Sequence, residues 1–188
     1  MRHKYETRGI VLSRTPVGET NALITFITPD LGLVRASAQG VRRSGAKLAS
    51  SLPTFAESSL VLVRGRESWR VAGAVLEENW FVQMQPCARV RAARVSNLLL
   101  RLVAGEVYDP VLFLIVASFF RALTELPENV HDAAEMLVVL RVLAVLGFDT
   151  GNIPGEFSEF TMPLLATVLK DRKNYIARIN NGIMASEL

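Results

Sequence analysis

Cysteine occurs once in this chain, at Cys87, and histidine twice, at His3 and His131. A single thiol excludes an intramolecular disulfide and fits a reducing cytoplasm. A structural zinc site needs about four Cys or His ligands at close spacing, and these scattered residues do not supply one. Long apolar runs are also missing. The longest, VLFLIVASFF from Val111 to Phe120, is about half of the ~20 residues that span a bilayer. It lies between Asp109 and Arg121, so it reads as a buried helix rather than a membrane segment. The N-terminal MRHKYETRG is charged, and no apolar stretch of signal-peptide length follows it, so nothing addresses the chain to export.

Catalytic signatures are equally scarce. The segment GAKLASS around Lys47 lacks the first glycine of a phosphate loop and a hydroxyl directly after the lysine. No Gly-x-Gly-x-x-Gly fingerprint is present, and two histidines suggest no nucleophile and base pair. Glu77 and Glu78 are adjacent, but neighbours on a strand point to opposite faces and cannot cooperate. The expectation is a protein that is not an enzyme and uses no cofactor and no metal.

What the chain does have is positive charge in one half. The net charge of +3 is mild, yet residues 1–70 hold eleven Lys or Arg against five acids, a net of +6 that leaves −3 for the remainder. Such asymmetry points to a basic module with an anionic partner, joined to a near-neutral one.

The hydrophobic period divides the chain at about Trp80. Before it the pattern is β: Tyr5 to Arg14, broken by Pro16 and Gly18; Ala22 to Thr28 (ALITFIT); Leu33 to Gln39; Ser58 to Val63; and Trp69 to Leu76. Five short strands with glycine-bearing turns suggest a small closed or partly open barrel. Beyond Trp80 the period is helical. Ala88 to Val103 is free of Gly and Pro and rich in strong helix formers. Asp109-Pro110 reads as an N-cap with proline at the first helical position, opening a helix to about Thr124. A further helix spans Asp132 to Leu146 and stops at Gly147, and Thr161-Met162-Pro163 starts a shorter one through Leu169. The expected architecture is α+β in two modules, residues 1–80 and 81–188.

The strongest single feature is GLVRASAQGVRRSGAK, Gly32 to Lys47, a strand that runs into a loop with three cations and the glycines Gly40 and Gly45. On a functional reading Arg42, Arg43 and Lys47 reach phosphates from a mobile backbone, and Arg14, Arg35, Arg64, Arg66 and Arg70 extend the surface. On a bland reading the loop is only solvated. Aromatic platforms for stacking bases are few. Phe26, Phe55 and Trp69 are the candidates, with core packing the competing role for each. Affinity would then rest on phosphates, with weak sequence preference and strong salt dependence. Arg91, Arg94 and Arg101 fall within an arc of about 80° on their helix, either as an accessory basic stripe or as the exposed side of an amphipathic helix that buries Val95, Leu99 and Leu102.

The N-terminal run resembles the bacterial RecO family of DNA recombination and repair proteins in four places. These are Gly18-Glu19-Thr20, Thr28 with Gly32, Gln39-Gly40-Val41-Arg42-Arg43, and Leu52-Pro53-Thr54-Phe55; LRVLAVLGF (Leu140 to Phe148) agrees more loosely. The resemblance implies an OB-fold barrel followed by an all-α domain, and a recombination mediator without nucleotide hydrolysis. Such a protein binds single- and double-stranded DNA, anneals strands and helps load the RecA recombinase onto DNA coated by single-strand-binding protein. The implied partners are RecR and the acidic, hydrophobic C-terminal tail of single-strand-binding protein, seated in the helical domain beside a cation for which Arg101, Arg121 and Arg141 are candidates. The implied setting is the cytoplasm, at the nucleoid. Family members often carry a four-cysteine zinc segment after this last helix; here DTGNIPGEFSEF has no cysteine, so that module is absent or reduced. Two other readings fit the same residues: an RNA-binding barrel of translation or ribosome assembly, and a structural adaptor that binds no DNA.

Overall fold

The computed structural model describes residues 3–66 and 68–186. Its first five elements are β1 (Lys4–Val17), β2 (Asn21–Thr28), β3 (Gly32–Ala38), β4 (Ala56–Arg64) and β5 (Trp69–Asn79). They close into a barrel in the order β1-β2-β3-β5-β4, as expected for an OB-fold. Neighbours are antiparallel except β3 and β5, which run parallel over two rungs, Ala36 opposite Trp69 and Ser37 opposite Arg70. Strand β1 serves two neighbours: Lys4 to Ile10 pair with β4, and Ile10 to Val17 pair with β2. A register shift between Val11 and Ser13 is a bulge, which bends the strand between its partners. The strand continues through Pro16, opposite Ala22, beyond the break expected there, because the end of a strand tolerates a residue that cannot donate.

Alternation along each strand turns every second side chain inward. Ile24, Phe26, Val34, Ala36, Leu60, Leu62 and Val71 form the barrel core, each at most 4% exposed. The connection across residues 39–55 gives the same core Val41 and Leu52, with Leu48 and Ala49 packed against it. At the β2–β3 turn the Thr28 hydroxyl donates to the Gly32 carbonyl and accepts the Leu31 N–H, both at 3.0 Å. Gly32 takes a left-handed φ of +65°, and a Cβ there would lie 2.1 Å from the Val107 carbonyl oxygen.

Helices follow as α1 (Trp80–Gln83), α2 (Pro86–Leu102), α3 (Pro110–Glu125), α4 (His131–Val145), α5 (Met162–Lys170) and α6 (Arg172–Ala185). Asp109 caps α3, its Oδ1 accepting from the N–H groups of Val111 (3.1 Å) and Leu112 (3.0 Å). Helix α4 is buried on most sides, from Ala133 and Leu137 to Leu140 and Leu143, and Gly147 follows it with φ +81°. Helix α6 has no counterpart in the sequence reading. Its RKNYIARINNGIMA mixes weak helix formers with a glycine, which hides its period. Among the described residues no helix is long and apolar enough to cross a membrane.

The described residues form two compact units, one through Gln83 together with Ala104–Phe113, the other comprising Met84–Val103 and the residues from Leu114 onward. Where the sequence suggests one boundary after residue 80, residues 104–113 belong with the barrel. Gly32→Ala should therefore be costly on two counts, a strained φ and a collision with Val107. A stability loss of at least about 1–3 kcal/mol in urea denaturation is expected, and an unchanged midpoint would contradict the close approach.

Candidate nucleic-acid interface

The parallel seam of β3 and β5 lies beside the turn that joins β4 to β5, and together they shape a cleft of about 780 Å³ in the barrel unit. Arg64, Arg66 and Arg70 line it with His3, Tyr5, Ser37 and Gln39. Ladder partners share a face, so Arg70 stands with Ser37, and alternation puts Arg35 on that face too. Arg35 and Arg66 are exposed and Arg70 is half-buried. Arg14 is half-buried opposite Ile24, on another part of the barrel. Among the described residues no acid forms an ion pair with Arg35, Arg43, Lys47, Arg66 or Arg70.

Gln39 links the cleft to the basic loop. Arg42, Arg43 and Lys47 are exposed, but their backbone is tied down. Gly40 N–H donates to Asn21 Oδ1 at 2.8 Å, Arg42 N–H to the Thr20 carbonyl at 2.9 Å, and Arg42 Nη1 to the Gly18 carbonyl at 2.9 Å. Val41, 1% exposed, and Leu52, fully buried, anchor the segment in the barrel core. Gly40 (φ +65°) and Gly45 (φ +73°) hold left-handed turns, a conformation that glycine adopts without strain. The loop therefore presents its cations between two anchored ends.

Of the aromatic candidates, Phe26 is fully buried, and Phe55 and Trp69 are each 4% exposed; all three pack. The aromatic the cleft does expose is Tyr5, 40% accessible and edge-on to Trp69 at 5.0 Å. Alternation could not have found it, because its ladder partner Leu62 belongs to the core; Tyr5 is accessible because it lies at the start of β1.

In the helical unit, Arg91 and Arg94 both bind Glu135 of α4, Arg94 Nε at 2.7 Å, so they fasten α2 to α4 and are no free stripe; Arg101 is exposed. Arg141 is fully buried. Its guanidinium donates to the carbonyls of Phe157 (3.1 Å), Glu159 (2.8 Å) and Pro154 (3.2 Å) and lies 4.8 Å from the Phe160 ring centroid. Burial pushes its pKa down to about 10, against the pull of Glu159 and Glu156. Arg178 holds Asp149 and the Asn152 carbonyl, and its pKa is raised chiefly by the Asp149 hydrogen bond. These two arginines organise the cysteine-free segment 149–160, which removes Arg141 as an accessible cation. Arg121 is exposed and lines a small pocket of about 220 Å³ that also holds Glu125 and Glu159. A larger groove of about 310 Å³ has an apolar floor of Met136, Val139, Ile176 and Ile179, and its rim carries two ion pairs, Arg94 with Glu135 and Arg172 with Asp132. Among the described residues no cluster of His, Cys, Asp and Glu is placed to hold a metal.

The strand connectivity defines an OB-fold protein with an appended helical unit. More particularly, the barrel is similar to the RecO family: residues 1–79 match the family model described as Recombination protein O N terminal. Similar proteins named DNA repair protein RecO come from Gloeobacter violaceus (31% identity, covering 76% of this chain and 55% of the relative) and Bifidobacterium adolescentis (31%, covering 77% and 59%). Another is from Dehalococcoides mccartyi (29%, covering 62% and 46%). The chain thus spans about half the length of the curated relatives it matches.

Proposed function

We propose that this chain is a DNA-binding recombination mediator in DNA repair. It binds single- and double-stranded DNA through the barrel, anneals complementary strands, and helps load RecA onto DNA coated by single-strand-binding protein, without hydrolysing nucleotide. It works in the cytoplasm at the nucleoid, with RecR as a partner. The observation that carries the reading is the convergence of Arg64, Arg66 and Arg70 on one cleft beside exposed Tyr5. The match to that family model supports it, as does similarity to relatives named DNA repair proteins. Phosphates carry the charge of a strand but no sequence, so cations held on a rigid barrel bind without reading bases. That suits a protein that must let strands release and re-register. For the acidic, hydrophobic tail of single-strand-binding protein the reading takes the α4–α6 groove, whose floor is apolar and whose exposed Arg172 would exchange its Asp132 partner for an acid of the tail.

Fluorescence anisotropy with a mixed-base single strand across a salt series tests the DNA site, with RNA of the same sequence alongside. About four to six phosphate contacts predict a log–log slope near −3 to −4, with DNA bound at least as well as RNA. Arg66→Glu with Arg70→Glu should weaken binding by more than about tenfold. A salt-independent curve, or a charge-reversed variant that binds like wild type, would refute the reading. For the groove, Arg172→Glu should weaken an acidic tail peptide about fivefold or more while leaving DNA affinity intact; equal peptide binding would dismiss that assignment.

A further inference from the structure

One cation of the cleft is already engaged with an anion of the chain itself. Arg64 lines the cleft, and its Nη1 pairs with Glu106 Oε2. The other carboxylate oxygen, Oε1, accepts the Trp69 indole N–H at 2.8 Å. The guanidinium lies over the Trp69 ring, its Cζ 4.8 Å from the centroid. A charged donor and a neutral one therefore converge on the two oxygens of a single anion. Glu106 sits in the irregular segment between α2 and α3. Its backbone neighbours are fixed, Gly105 by a 3.3 Å bond from Leu33 N–H and Val107 by its approach to Gly32. The Glu106 side chain itself is 39% exposed, so its release needs only side-chain torsions.

We propose that Arg64 and Trp69 form a phosphate subsite of the cleft, and that Glu106 is its resident stand-in, displaced by a phosphodiester of the bound strand. The inference rests on the DNA reading of the cleft and deepens it. A phosphodiester offers two equivalent non-bridging oxygens that share one negative charge, as a carboxylate does, and arginine is suited to either. The indole N–H is a donor with no acceptor role, so it fits an anion and nothing cationic. Exposed ion pairs are weak, and displacement is therefore cheap for a strand whose neighbouring phosphates are already on Arg66 and Arg70, which raise the local concentration of the incoming group. A lone phosphate ion has no such help. Tyr5, packed against Trp69, stands beside the subsite, where a base attached to the incoming phosphate can stack.

The test is anisotropy with a fluorescein-labelled oligothymidylate on the full chain and four variants: Glu106→Gln, Glu106→Ala, Arg64→Met and Arg64→Met/Glu106→Ala. Both Glu106 variants should bind about two- to fivefold more tightly than wild type, with a salt slope steeper by about 0.7, one more phosphate contact on a single strand. That gain should vanish in the Arg64→Met background. The near-isosteric Gln variant keeps the test usable if the Ala variant folds poorly. Wild-type binding with unchanged affinity and slope in the Glu106 variants would overturn the subsite alone, as would a gain that persists without Arg64, which is general relief of negative charge. If no protein in the series binds, the DNA reading falls and the subsite with it.

Discussion

The parallel pairing of β3 with β5, two rungs long and centred on Trp69, is the constraint on which the rest of the barrel depends. The other neighbouring strands are joined by longer antiparallel ladders; this seam is the short closure that leaves the sheet without an open edge. Trp69 fills it from inside at 4% exposure, and the Ser37 hydroxyl donates to the Trp69 carbonyl at 3.3 Å. Because β5 starts at Trp69, directly after the turn from β4, closing the seam brings Arg64, Arg66 and Arg70 beside Ser37 and Gln39. The cationic cleft is thus a consequence of closure, and no separate device positions it.

The arginines divide by what they touch. Arg8 pairs with Glu57, Arg91 and Arg94 with Glu135, and Arg178 with Asp149, while Arg141 spends its donors on backbone carbonyls. These hold the fold together. The cations of the cleft and of the loop after β3 lie on scaffold that other groups secure, which leaves them available to an anionic partner. Arg64 belongs to both sets, since its acid comes from an exposed segment that the fold does not need in the core. Pre-positioned cations over a rigid base favour contact with a regular array of phosphates over adaptation to particular bases.

Much of this was legible in the residues. The strands are punctuated by Pro and Gly, and Asp109-Pro110 declares the start of α3 through a cap whose geometry the structure reproduces. What escaped depends on contacts distant in sequence. Trp69, beside a charged turn, left both platform and core open with core favoured, and the seam between β3 and β5 shows that it is core. Arg141 reads as a surface cation in an apolar helix until the carbonyls of residues 154–159 are folded onto it. The glycines of the basic loop suggested mobility; the structure adds left-handed turns at Gly40 and Gly45 and anchors at Val41 and Leu52 on either side of the cations. Glu106, in the linker between two helices, carries no local sign that it meets Arg64 and Trp69 across the chain.

The most direct measurement is the indole N–H region of a two-dimensional ¹⁵N NMR spectrum, recorded as single-stranded DNA is added. The chain has two tryptophans, Trp69 and Trp80, so two signals report, and single substitutions assign them. Binding in the cleft predicts that the Trp69 signal shifts with the first additions of DNA, together with the backbone amides of Ser37, Gln39, Arg66 and Arg70. The Trp80 signal and the amides of α4 should stay in place. A stationary Trp69 signal, with shifts confined to the helical unit, would contradict the account.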